Sequence, residues 1–349
     1  MSENAIPVVV VGASGYTGAE LLRHLLQHPH VELVGVTSRQ YAGTPLAKIF
    51  PRFAGAKGAE LCFSEPDIDA LTSTGASLAF LALPHGVAAE FAAPLLEKGF
   101  RVIDLSADYR LRDPQIYEEF YEQPHPTPDL LSDAVYGLPE ICPEAIREAN
   151  LVASPGCFPT SILLPLLPLL KHGLIQHDGI VVSSMSGVSG AGRNAKLPLL
   201  YAECNESVRA YGAPKHRHLS EIEQELSLTA GESITISFTP HLVPITAGIC
   251  STISAPLAND STLSDLTTVY EEAYADQPFV RLLGPGTFPD TKHVVGTNFI
   301  DLSWHLDERT NRALLTTAED NLGKGAGAQA IQSFNLMHDL PQETGLLRF

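Results

Sequence analysis

The sequence predicts an α/β chain in two parts, a doubly wound parallel sheet followed by an α+β domain with a mixed sheet. Three observations carry this expectation. In the first half, short apolar runs alternate with helical stretches, the pattern of parallel strands joined by crossover helices. The first apolar run passes directly into a glycine turn and then a helix. In the second half, strand-like runs follow one another without regular helices between them, which suits a mixed sheet with helices on one face. A length of 349 residues allows two domains. The expected spans are 1–156, 157–319 and a C-terminal helix and tail at 320–349 that packs back on the first domain.

Taken in order, residues 6–11 read as a buried strand. Gly12-Ala13-Ser14-Gly15-Tyr16-Thr17-Gly18 follows, and then a helix with Leu21, Leu22, Leu25 and Leu26 on one face. Strand, glycine turn and helix in that order make a Rossmann-like phosphate-binding unit, although the spacing is GxxGxxG. Its candidate cofactor contacts are Gly12, Ser14, Gly15, Tyr16, Thr17 and Gly18. The strand at 31–36 ends at Thr37-Ser38-Arg39. An acid there would accept from the 2′-hydroxyl of NAD; the hydroxyl of Ser38 and the guanidinium of Arg39 suit the 2′-phosphate of NADP instead. The strand at 78–83 ends at Pro84-His85-Gly86, which places Pro84 where ligands gather, at the strand C-terminal ends. A helix at 87–98 and a strand at 101–105 come next. Residues 109–140, rich in Pro, Tyr and acids, read as an irregular surface excursion, and a strand at 151–153 closes the domain.

That strand leads into Ser154-Pro155-Gly156-Cys157-Phe158-Pro159-Thr160-Ser161. A cysteine at a strand–turn–helix junction sits at the positive end of the helix dipole, which stabilises a thiolate and equips it as a nucleophile. A buried structural thiol is the plainer alternative. Pro165 and Pro168 fall inside the helical run at 162–170, so a short or kinked helix is expected there. Further strands are expected at 180–184, 233–238, 248–254, 293–296, 299–304 and 313–317, with helices at 219–226, 262–274 and 325–337.

Three clusters of the second half could do chemistry. Ser186-Gly187-Val188-Ser189-Gly190-Ala191-Gly192-Arg193 is a Gly/Ser loop suited to phosphate or another anion, or simply a flexible surface loop. Lys215-His216-Arg217-His218 is a basic tetrad in an acidic chain; in an extended segment both histidines point to one side, and either suits acid–base work. Asn321 either hydrogen-bonds a carboxamide or caps the last helix.

Composition narrows the classes. Hydrophobic residues make up 44% and charged ones 18%, which fits a globular chain. The net charge of −18 disfavours nucleic acid and anionic membranes as partners. The five cysteines are scattered without CxxC spacing, so no metal site and no disulfide framework is expected. No signal-peptide pattern and no membrane-length apolar run is present, which makes the cytoplasm the expected location.

In their order, GASGYTGAELLR, ALPHG, DLSADYRL, YGLPE, SPGCFPTS, SGVSGAGR, KHRH, FTPHLVP and DNLGKGAGAQAIQ resemble the N-acetyl-γ-glutamyl-phosphate reductases, arginine-biosynthesis enzymes related to the aspartate-semialdehyde dehydrogenases. The resemblance runs from about residue 6 to 346 and fits the longer of the family's two size types. It implies NADP(H)-dependent reduction of a small-molecule acyl phosphate to an aldehyde by a homo-oligomer, a dimer or tetramer. It makes Cys157 the nucleophile and His216, in preference to His218, the acid–base. It puts Gly12, Gly15, Gly18, Gly187 and Asn321 with the cofactor. Arg110, Ser186, Arg193, Lys215 and His218 fall to the substrate. One departure is visible: Ala247 stands where the family often has Arg, which leaves Arg193 or Lys215 as candidates for an anion. Related activities on aspartyl phosphate or a carrier-linked aminoadipyl phosphate, and a non-catalytic NADP-binding sensor, are the alternatives.

Overall fold

The computed structural model describes residues 5–258 and 260–347. The outer ends of the expected spans, 1–4 and 348–349, lie outside the described residues, as does residue 259. The chain forms two compact units. One comprises the residues up to Pro155 and those from Ala326 onward; the other is Gly156–Gly325.

The first unit runs β1 (Ile6–Val11), α1 (Tyr16–Leu25), β2 (Val31–Val36), the short α2 (Leu46–Ile49) and α3 (Ile68–Thr72), β3 (Leu78–Leu81), α4 (Ala88–Glu97), β4 (Arg101–Asp104), α5 (Pro114–Tyr121), β5 (Ala134–Tyr136), α6 (Pro143–Glu148) and β6 (Leu151–Ala153). The strands form one parallel sheet in the order β2-β1-β3-β4-β6-β5. Val8 to Val11 are fully buried, as a strand covered on both faces requires. Because β2 and β3 flank β1 on opposite sides, the strand order reverses there, and a crevice opens at the C-terminal ends.

The segment expected to be irregular, 109–140, contains more structure than its composition suggests. Asp113 caps α5 with Pro114 at its first position, and Tyr117 and Tyr121 stack at 4.7 Å on the buried side. Its last strand, β5, pairs with β6, so β6 is not the sheet edge.

The second unit runs α7 (Cys157–Lys171), β7 (Val181–Ser186), α8 (Tyr201–Cys204), β8 (Arg209–Ala210), α9 (Arg217–Ala230), β9 (Ser237–Leu242), β10 (Ile249–Pro256), α10 (Leu263–Tyr274), β11 (Val280–Leu282), β12 (Ile300–Asp307) and β13 (Arg312–Glu319). Its sheet is mixed, in the order β11-β12-β13-β10-β7-β9-β8. Along β7 the buried Val182, Ser184 and Ser186 alternate with Val181 and Met185, which are 47% and 49% exposed. One face is therefore covered and the other open. The strand expected at 233–238 begins only at Ser237. The one expected at 293–296 is absent: a 3₁₀ turn occupies Thr291–His293.

The helix expected to be short or kinked is not short. Helix α7 is continuous over 15 residues. Pro165 and Pro168 cannot donate to the carbonyls of Ser161 and Leu164, four residues before them. Other elements supply those donors. Thr317 Oγ1 of β13 donates to Ser161 O at 2.9 Å, and the Tyr274 hydroxyl of α10 donates to Leu164 O. The Tyr270 hydroxyl donates to Pro165 O at 2.7 Å.

After β13, Gly323–Gly327 wind as a π turn, and the last helix, α11 (Ala328–Met337), returns to the first unit beside α1 and α6. Asn335 Oδ1 there meets His28 Nε2 at 3.0 Å, and Gln332 donates to Glu140 at 2.9 Å. Among the described residues no helix is long and apolar enough to cross a membrane.

Candidate active site

In the first unit, the three glycines of the turn after β1 have separate causes. Gly12 has φ +81°, and a Cβ there would lie 2.6 Å from Ala82 O. Gly18 packs so closely that a Cβ would lie 2.6 Å from the Ala13 backbone. Gly15, which precedes the uncapped start of α1, has open space instead: a Cβ there would meet nothing within 4 Å. The fold itself needs no glycine at that point, whereas a ligand phosphate approaching the backbone does. A dinucleotide thus fits the residues present. The neighbouring hydroxyls are ordered: Gly12 N–H donates to Thr37 Oγ1 at 3.1 Å, and the Ser14 and Ser38 hydroxyls meet at 2.9 Å. Ser38 is buried, while Arg39, Tyr16 and Pro84 are more open and Thr17 is half-buried.

Behind these loops lies a buried acidic cluster at the end of β4. Asp108 accepts from Gly86 N–H at 2.6 Å, Ala89 N–H at 3.0 Å and the Tyr117 hydroxyl at 2.9 Å, which pins the Pro84–Gly86 loop and the start of α4. Asp104 accepts from the Ser106 N–H and hydroxyl; full burial and the charge of Asp108 push its carboxyl up to about 7. Arg110 is buried and donates to Ser154 O at 2.7 Å and Leu105 O at 3.0 Å, tying together the ends of β4 and β6.

In the second unit, Cys157 is the first residue of α7. Gly156 precedes it without a side-chain cap, and the first turn carries no acid. The helix's own first turn therefore puts no acid beside the half-buried cysteine, which sits at the positive end of the dipole. The basic tetrad is not extended, because α9 begins at Arg217 and His216 is its N-cap, accepting His218 N–H on Nδ1 at 3.1 Å. Both histidine rings still gather beside the cysteine's helix. They lie 5.0 Å apart and edge-on to Phe158, at 5.4 Å for His216 and 5.8 Å for His218. A Cβ on Gly156 would lie 2.7 Å from His218 Nε2, so the glycine before the cysteine admits that ring. Burial, with Arg217 alongside, lowers His216 to about 4. With Nδ1 accepting, its neutral ring carries the proton on Nε2 and presents a donor.

Residues 7–149 match the family described as "Semialdehyde dehydrogenase, NAD binding domain", and residues 157–321 match "Semialdehyde dehydrogenase, dimerisation domain". An N-acetyl-gamma-glutamyl-phosphate reductase of Akkermansia muciniphila is 58% identical over 98% of both chains. One of Geobacter metallireducens is 51% identical over 97% of both. The chain belongs to the N-acetyl-gamma-glutamyl-phosphate reductase family. Its fold is shared with aspartate semialdehyde dehydrogenase II of Vibrio cholerae in complex with ASA, at TM-score 0.73 and 18% identity, over 96% of this chain and 98% of that one. The Candida albicans aspartate semialdehyde dehydrogenase with NADP matches at TM-score 0.69 and 15% identity, over 95% and 99%.

Within this reductase-family chain, the remaining candidates divide. Ser186 and Gly187 are buried at the end of β7; a Cβ on Gly187 would lie 2.9 Å from the Ala247 backbone. Asn321 is buried and does not cap α11. Its Oδ1 accepts from Gly248 N–H at 2.7 Å and its Nδ2 donates to Ser189 Oγ at 3.0 Å. Arg193 and Lys215 are exposed.

Three residues at the site carry no strong signal in the sequence. Glu221, fully buried, accepts Gly156 N–H at 2.8 Å. Its one local sign is an acid one turn after His218 in the first turns of the helix. Tyr211 packs on His216 at 5.6 Å, and burial together with the nearby Cys157 pushes its hydroxyl well up. Gly325 lies against the cysteine: a Cβ there would be 2.7 Å from Cys157 Cβ and 2.9 Å from Glu319 Oε1. No local pattern marks that contact.

Proposed function

We propose that this chain reduces N-acetyl-γ-glutamyl phosphate to N-acetylglutamate 5-semialdehyde with release of phosphate, as its relatives' name states for them. The observation that carries the chemistry is Cys157 at the uncapped first position of α7. Its thiolate attacks the γ-acyl carbon, the C–O bond to phosphate breaks, and a thioester forms on sulfur. NADPH, when bound, supplies the hydride that reduces the thioester carbon. The His216 Nε2–H and the N–H groups of the first turn of α7 donate to the resulting oxyanion. The oxyanion re-forms the C=O bond of the aldehyde as the C–S bond breaks, and the electron pair of that bond returns to Cys157 as thiolate. His218, packed on Gly156, and Arg110, Ser186, Arg193 and Lys215 are the candidates to hold the anionic substrate.

In this reading residues 1–156 bind NADP(H), with Ser38 and Arg39 at the 2′-phosphate. Residues 157–319 carry the chemistry, and 320–349 return to the first part. The open face of the second sheet, with Val181 and Met185 exposed, pairs two copies into a dimer or a tetramer built from it; the matched dimerisation domain supports this. Thiol chemistry of this kind suits a reducing compartment, the cytoplasm.

The test is an NADP⁺-linked assay with N-acetylglutamate 5-semialdehyde plus phosphate, run beside aspartate semialdehyde. Turnover confined to the acetylated substrate is expected; a preference for aspartate semialdehyde overturns the substrate assignment. Cys157→Ser should abolish turnover while NADPH binding, followed by fluorescence titration, stays near wild type. Substantial residual turnover removes Cys157 from the nucleophile role.

A further inference from the structure

The two prolines inside α7 bear on the reaction as well as on the fold. Pro165 cannot donate to Ser161 O, and Ser161 lies one helical turn after Cys157. Proline in a helix is a usual cause of kinks above about 20°. A kink of that size, pivoting at Ser161 about 6 Å from the cysteine, displaces it by about 2 Å. A misplacement of about 1 Å at a reacting centre can cost about 100-fold in rate.

Two sets of buried hydroxyls act on this turn. Thr317 Oγ1, fully buried on β13, donates to Ser161 O at 2.9 Å. The second set is a chain. Ser161 Oγ donates to Phe158 O at 2.9 Å, so it accepts from Ser251 Oγ at 2.8 Å, which in turn accepts from Ser184 Oγ at 2.7 Å. All three serines are fully buried. The chain connects β7 and β10 to the carbonyl of the residue after Cys157. The buried position on β13 would accept an apolar side chain by size, yet a hydroxyl stands there and meets the one carbonyl that Pro165 strands.

We propose that Thr317 is a positioning residue for Cys157: its hydroxyl replaces the backbone donor that Pro165 lacks and keeps straight the turn of α7 that presents the cysteine. The proposal rests on the reading of Cys157 as nucleophile. The serine chain braces the same turn from β7 and β10, and Thr317 holds the pivot.

The test uses the full chain and three variants. Thr317→Val keeps the shape and removes the donor. Pro165→Ala restores a backbone N–H four residues after Ser161, which makes the Thr317 hydroxyl dispensable. The double variant combines them. Two readouts are followed: the rate of Cys157 alkylation by iodoacetamide, resolved from the other cysteines by peptide mass spectrometry, and kcat and KM in the assay above. Thr317→Val should slow alkylation and lower kcat about 10- to 100-fold with the NADP⁺ KM almost unchanged. Pro165→Ala alone should behave as wild type, and the double variant should recover to within about threefold of it.

A Thr317→Val protein with wild-type alkylation overturns the positioning role and leaves the nucleophile reading standing. A double variant that is insoluble, or as impaired as Thr317→Val, also overturns it. If Thr317→Val alone is insoluble, a soluble and active double variant supports the proposal. Retained turnover in Cys157→Ser, with alkylation still slowed in Thr317→Val, overturns the nucleophile reading alone.

Discussion

At the scale of single residues, two side chains set conditions that kinetics can read. Arg39 is exposed beside the half-buried Ser14–Ser38 hydroxyl pair, where the second strand ends without an acid. A charge-assisted hydrogen bond contributes about 1.5–3 kcal/mol. Arg39→Ala should therefore raise the NADPH KM roughly tenfold to a hundredfold and leave the NADH KM almost unchanged. Equal wild-type efficiency with both cofactors would sink the 2′-phosphate assignment. His216 is held to about 4 by burial and by Arg217, against an ordinary 6.5. The fold disfavours the charged ring, so this group's contribution to stability is complete above pH 6.5 and is lost as pH falls through 4. Its titration in kcat/KM should accordingly appear near pH 4. Arg217→Gln removes the like charge and should move that limb upward. A limb near 6.5 in the wild type, unmoved by Arg217→Gln, would contradict the neutral-donor role.

At the scale of elements, the turn after β1 shows how similar letters carry different duties. Gly18 meets the Ala13 backbone, so Gly18→Ala should destabilise the first unit, lowering its melting temperature before any ligand is added. Gly15 has open space around it. Gly15→Ala should melt as wild type and still bind NADPH at least about tenfold more weakly, by fluorescence titration. A variant that binds normally would make Gly15 an incidental turn residue. Helix α7 teaches the converse lesson. Two interior prolines read locally as a break, yet hydroxyls from β13 and α10 complete the helix. The donors stand far away in the sequence, at separations of 156 and 110 residues.

At the scale of the whole molecule, the second sheet leaves one face open, with Val181 and Met185 half exposed on β7. An open sheet face that exposes Val181 and Met185 among Ser183, Thr239 and Thr252 is a surface a second copy can cover. Met185→Lys puts a charge at its centre and should shift the protein to a smaller species in sedimentation velocity at micromolar concentration. An unchanged sedimentation coefficient would move the subunit interface elsewhere. The net charge of −18 opposes self-association at low salt, so the smaller species should be more abundant there in the wild type too.

The amino-acid sequence by itself determined the layout: a glycine turn between a valine strand and a leucine-faced helix, one cysteine at a strand–turn–helix junction, and a basic tetrad in an acidic chain. Each is a local pattern, and local patterns follow from backbone preferences and side-chain periodicity within a few residues. Where a segment's structure depended on distant partners, local reading fell short. The 109–140 segment hid α5 because two tyrosines and a capped proline start do not resemble a leucine-rich face. The tetrad is a helix start because His216 caps α9. Tertiary structure alone decided that Asn321 laces Gly248 to Ser189, that Glu221 holds Gly156 N–H, and that Gly325 lies on Cys157. These contacts form when folding brings remote residues together to satisfy buried polar groups and fill space, and no spacing along the chain encodes such pairings.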